Sequence, residues 1–89
     1  VEQSFDLYPN FPNPVSATTD ISFTISSRAF VSLKIIDLLG REAASLVNGE
    51  LAAGHYSRIW TADKLANGNY FYQLTVGTFS KIRKLAVHR

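Results

Sequence analysis

The chain has 89 residues, 46% of them hydrophobic and 18% charged, a balance that suits one globular domain, residues 1–89, and is too apolar for a disordered chain. There is no cysteine, which excludes a disulfide framework and a thiolate-ligated metal, and a net charge of +2 is too weak to point to a polyanionic partner. The core has to come from side chains alone, with one Trp, four Tyr and six Phe as the main source. Full burial of one such ring is worth roughly 1.5–3 kcal/mol.

The first ten residues, VEQSFDLYPN, lack the basic start and apolar stretch of a signal peptide, and a short strand is expected around Ser4–Tyr8. The next segment, NFPNPVSATTDISFTIS, places two prolines ahead of an alternating run. Each proline fixes its own φ, biases the residue before it toward extended geometry and offers no amide to a ladder. The expectation is a stiff, extended lead with few hydrogen bonds, Phe11 packed on the edge of the fold and Asn13 capping a turn. Its structural use would be to orient the first long strand. Its functional use would be a surface that a partner contacts.

From Asp20 onward the period is two. Ile21, Phe23 and Ile25 point one way, with Ser22, Thr24 and Ser26 opposite. Val31, Leu33 and Ile35 repeat the pattern, as do Tyr56 with Trp60, and Tyr70, Tyr72, Leu74 and Val76. The last run, FSKIRKLAV, aligns Phe79, Leu85 and Val87, but Lys81 and Arg83 fall on the same side. That mismatch predicts a bulge or an edge position.

Turn signals separate these runs: Ser26-Ser27-Arg28, Leu39-Gly40, Asn48-Gly49, Ala53-Gly54, Asn67-Gly68 and Gly77. LLGREAASLV competes as a helix, but Gly40 and Asn48-Gly49 leave it about two turns, too little for a stable isolated helix. Residues 41–47 therefore read as a strand. About seven antiparallel strands result, and with them an all-β, immunoglobulin-like β-sandwich. Tyr70, at the start of the penultimate strand, either bonds its hydroxyl back to the preceding loop as a tyrosine corner or is half-buried for its area alone.

The residue inventory offers no catalytic set. His55 and His88 have no partner at metal-binding spacing, and no cofactor is expected. Asp37 and Glu42 flank the LLGR turn, where carboxylates cap amides or meet Arg41 more often than they form an acid–base pair. The chain is expected not to be an enzyme. The tyrosines of YFYQL share parity with Leu74 and Val76, which argues against a nucleic-acid surface. A sugar-binding face is weakly supported, since Trp60 points inward and Phe71 stands alone on the outward side. No apolar run reaches 18 residues, so no direct membrane insertion is expected. An exposed edge strand would offer a second copy of the chain a pairing surface.

Three stretches in order, NFPNPVSATTDISFTIS, VSLKIIDLLGREAASLVNGELAAGHY and LANGNYFYQLTVGTFSKIRKLAV, carry a resemblance that covers nearly the whole chain. Together they resemble the C-terminal sorting domain (type A) of the type IX secretion system of Bacteroidetes and related phyla. That pattern grades into the immunoglobulin-like domain of the flagellar hook-capping protein. The motif residues are Pro12, Asn13, Pro14, Gly40, Gly68 and Tyr70.

The resemblance implies a sandwich that follows an N-terminal cargo domain and is exported with it. Such domains are recognised in the periplasm and sent through the outer membrane by a shuttle to the cell surface or the medium. Many are removed there by a sortase-like peptidase. In the family a basic and apolar tail matters for recognition, which maps onto Lys84, Leu85, Ala86, Val87, His88 and Arg89. Lys84 and Arg89 would supply charge and Leu85 and Val87 apolar anchors, by strand addition or pocket insertion. A structural spacer module is the alternative role. Val15-Ser16-Ala17 and Ala52 depart from common family residues. Arg58 stands in a usually apolar slot, either on a bulge or snorkelling past Tyr56.

Overall fold

The computed structural model describes residues 4–62 and 65–88. Seven strands follow one another: β1 (Phe5–Leu7), β2 (Thr18–Ile25), β3 (Ala29–Ile36), β4 (Glu42–Leu51), β5 (Gly54–Thr61), β6 (Gly68–Val76) and β7 (Phe79–Val87). They form two antiparallel sheets, ordered β1-β2-β5 and β4-β3-β6-β7. The all-β sandwich expected from the alternating sequence is therefore what the chain forms. Sandwiches of the immunoglobulin class share this arrangement of facing sheets.

The alternation sets the core. Ile21, Phe23 and Ile25 of β2 face Val31, Leu33 and Ile35 of β3 and Tyr72, Leu74 and Val76 of β6, all buried. Trp60 joins them from β5, and Tyr56 stacks on Phe23 with ring centroids 5.4 Å apart. Arg58 lies between these two aromatics on an unbroken β2–β5 register, so no bulge turns it away. Its guanidinium instead reaches out over the Tyr56 ring, 5.9 Å from the centroid, and donates to the Ser57 carbonyl. Of the two expectations for Arg58, snorkelling is the observed one.

The strand expected over residues 41–47 forms from Glu42, with Arg41 left in the preceding loop, and Asn48-Gly49 does not end it. Asn48 pairs with Ser32 and Gly49 with Val31, and β4 runs on to Leu51. A two-residue turn signal loses here to a ready ladder on β3, since strand propensity follows the neighbours more than the residue. The cost appears elsewhere in β4. The register slips between Leu33 and Lys34 and again between Ile35 and Ile36, leaving Leu46 and Ala43 as extra residues.

β7 shows no register break against β6, from Gly68↔Val87 to Val76↔Phe79. The edge reading of Lys81 and Arg83 thus holds and the bulge reading does not. Both side chains cross the gap to β1 in the other sheet. Lys81 Nζ donates to the Phe5 carbonyl at 2.8 Å and Arg83 Nε to the Leu7 carbonyl at 2.7 Å. They saturate the free edge of β1, a common protection against stray strand pairing. Phe79, expected inside, is 53% exposed although Val76 opposite it is buried, because Phe79 lies on the edge strand, with no described strand on its other side.

Candidate functional site

The motif residues gather at one end of the sandwich. β3 and β4 meet there in the Asp37–Arg41 loop, β5 leads into β6 there, and β7 finishes there. At the opposite end Ser4 bonds Ser26, so the first described residue lies far from the motif residues.

The Asp37 loop is built by one carboxylate. Its Oδ1 accepts the Leu39 and Arg41 amides at 2.9 Å each, and its Oδ2 accepts Arg41 Nε at 2.9 Å. Gly40, at φ 82°, supplies the left-handed residue that the loop needs. The Arg41 amide and guanidinium and the Leu39 amide hold the Asp37 carboxyl below its ordinary range. Glu42 turns away to Lys34, 3.7 Å distant. The two carboxylates therefore serve as amide cap and ion-pair partner. The loop so fixed holds Leu38 and Leu39 out in solvent, 65% and 77% exposed. Beside them lies an open concavity of about 400 Å³, lined among others by Arg41, Leu65, Asn67 and Tyr70.

Tyr70 is buried and its hydroxyl donates to the Ala66 carbonyl at 2.7 Å. It is a tyrosine corner, and it ties the loop after β5 to the start of β6. Gly68, at φ 152°, opens that strand. Tyr56 makes the same bond to Ala52, at 2.6 Å, on β5. This second corner was missed, although an alanine, a glycine and a tyrosine recur at the same spacing in Ala52-Ala53-Gly54-His55-Tyr56 and Ala66-Asn67-Gly68-Asn69-Tyr70.

The proline segment behaves differently from expectation. Phe11 is 79% exposed rather than packed on an edge. The segment is neither extended nor poor in hydrogen bonds, because it has to cross from one sheet to the other. Phe11 exchanges both backbone bonds with Asp20 of β2, at 3.1 and 2.8 Å. After a bend through Pro12, Asn13 and Pro14, Val15 pairs with the tail. Asn13 Oδ1 accepts the Ala86 amide at 3.2 Å. The Val15 amide donates to the Ala86 carbonyl at 2.7 Å, and the His88 amide to the Val15 carbonyl at 2.9 Å. Asn13 thus caps the edge of the last strand rather than a turn. Behind this crossing, Asn10, Thr19 and the Pro12 carbonyl bond one another in a buried cluster.

The tail residues are divided by the strand period. Leu85 and Val87 are 0% and 2% exposed and belong to the core. The expectation that they are accessible apolar anchors is corrected: their parity matches Tyr70 and Tyr72 across β6, so the fold claims them. Lys84 and His88 are exposed and Ala86 is half-buried. Among the described residues Lys84 makes no ion pair. Arg89 lies outside the described residues. No cluster of three or more metal-ligating side chains occurs among the described residues.

Residues 7–88 match the family model described as the secretion system C-terminal sorting domain. The chain belongs to that family. It is a sorting domain for cargo of the type IX secretion pathway, as its motifs imply. The match takes in the Pro12–Pro14 crossing, the Asp37 loop, the Tyr70 corner and the tail as far as His88. No curated protein and no solved structure matches the chain.

Proposed function

We propose that this sorting domain presents its motif end to the secretion machinery while its cargo hangs from the other end. The observation that carries the reading is convergence. Residues far apart in sequence, Asn13, Leu38, Leu39, Tyr70, Lys84 and His88, come together at one end, and Ser4 lies at the opposite one. A folded cargo ahead of residue 4 would leave that end open to a receptor. The cargo would then pass from the periplasm through the outer membrane to the surface or the medium.

Contact falls to what is exposed. Lys84 and Arg89 supply positive charge for charge-assisted bonds, and the His88 side chain lies exposed between them in sequence. Leu38 and Leu39 supply apolar area that a monomer has no use for in solvent. Strand addition remains open to β7 upstream of the Asn13 cap. Ala86 turns its amide and carbonyl outward, so by alternation Lys84, Ile82 and Ser80 do the same. Leu85 and Val87 act by holding this strand in place. The role is one of recognition, without catalysis by this domain, and the shuttle and the sortase-like peptidase are the expected partners.

The test uses a reporter fused ahead of the domain in a secretion-competent host. Leu39→Asp and Lys84→Glu should each leave the domain folded by circular dichroism and trap the reporter in the periplasm. Normal export of both variants would defeat the proposal.

A further inference from the structure

The four sheet edges are not protected alike. The free carbonyls of β1 are occupied by Lys81 and Arg83. β7 is capped at Ala86 and His88 by Asn13 and Val15. β4 is interrupted by its extra residues Leu46 and Ala43, which bend an edge and spoil it as a template. β5 has no cap, no bulge and no cover from the other sheet; its one guarded carbonyl is that of Ser57, on which its own Arg58 sits and which pairing has to release. Its eight residues pair with β2 without a register break, and contain no lysine, proline or carboxylate. Among the described residues no strand flanks its other side. Ile59, at its outer face, is 74% exposed. Arg58 Nη1 reaches the Ser57 carbonyl at 2.8 Å from the open side. Ser57, and by alternation His55 and Ile59, therefore direct their amides and carbonyls away from β2.

We propose that β5 is the pairing edge for a second copy of this chain, antiparallel and centred on Ser57. Charge chooses that register. Two registers overlap essentially the whole strand. One is centred on Arg58 and sets two guanidinium groups directly opposite each other, which is destabilising. The other is centred on Ser57 and sets each Arg58 opposite Tyr56 of the second copy. Within one chain Arg58 already lies over that ring, so the pairing extends an existing cation–π contact across the two-fold axis. The same register brings Ile59 beside His55 of the second copy and covers its exposed side chain. Trp60 falls opposite Gly54, where an aromatic ring shields a glycine. The result is one continuous six-stranded sheet. β5 and β7 lie on opposite sides of the sandwich, so pairing leaves the tail uncovered. The inference does not depend on the export reading.

The chain has no cysteine, which makes cross-linking clean. Two Ser57 residues in a hydrogen-bonded pair have Cα atoms about 5.5 Å apart, inside the range of about 4.4–6.8 Å that a disulfide spans. Under mild oxidation Ser57→Cys should give a covalent dimer. Ser22→Cys is the control, because Ser22 is the β2 partner of Ser57. Two Ser22 residues would then sit about 14 Å apart, three strand spacings. In sedimentation equilibrium the unaltered chain should shift toward twice its mass with concentration. Ile59→Lys and Ser57→Pro, both folded by circular dichroism, should remain at one mass. Equal cross-linking of the two cysteine variants, an unaltered chain that stays monomeric, or a dimer that survives both edge substitutions would each overturn the proposal.

Discussion

Tyr56, Tyr70 and Tyr72 each spend their one donor on a backbone carbonyl, and their different burial separates what each bond contributes. Tyr70→Phe removes a part-buried bond to the Ala66 carbonyl and should cost about 1 kcal/mol in urea unfolding. Tyr56→Phe, at a wetter position, should cost less. Tyr72 is buried in the core and donates to the Tyr8 carbonyl at 2.8 Å. Burial pushes its phenol above the ordinary value of 10.0, against the opposing pull of the Asn10 amide and Arg83. A raised folded pKa means that the unfolded chain gives up the proton first. The contribution of Tyr72 is therefore complete below pH 10 and is lost as pH climbs through the folded value. Tyr72→Phe should flatten the alkaline limb of the stability profile, as measured by chemical denaturation at several pH values.

At the scale of the strand, β7 has three jobs divided along its length. Its last residues fill the core, its middle residues close the gap to β1, and its outward groups are the ones we propose the export machinery contacts. Leu85→Ala should cost about 2–5 kcal/mol, the usual range for truncating a buried leucine, and show as a lower thermal midpoint. Replacing Lys81 and Arg83 by alanine should leave the melting curve nearly unchanged while amide exchange in β1 accelerates. Unchanged exchange would mean that the two side chains do not secure that edge.

The sequence shows why these jobs were unequally legible. Strand identity followed from parity, which depends only on neighbours along the chain. The edge role of Lys81 and Arg83 was visible as a broken parity, but their target was not, because Phe5 and Leu7 lie 76 positions earlier. Leu85 and Val87 carry the inward parity of a core position, whereas the family resemblance alone implies an accessible tail. Asn48-Gly49 misled for the opposite reason, being a local signal outweighed by the ladder that β3 offered. The Asn13 contact with Ala86 joins two segments that no local pattern connects.

For the whole molecule, the longest extent is 42 Å, and on the proposed reading cargo hangs from the end opposite the motifs. A rigid sandwich between them acts as a spacer as well as a signal. Longer folded passengers should therefore be exported about as well as short ones, which graded reporter fusions would show. Two layers held by aromatic and aliphatic contact, with no cysteine to oxidise, also tolerate passage between compartments of different redox poise.

The stitch between Val15 and the final strand has a consequence for synthesis. A chain cut short before Leu85 has an early crossing with nothing to clip and two layers that lack a flank. Such a product exposes its interior to proteases instead of displaying a finished address.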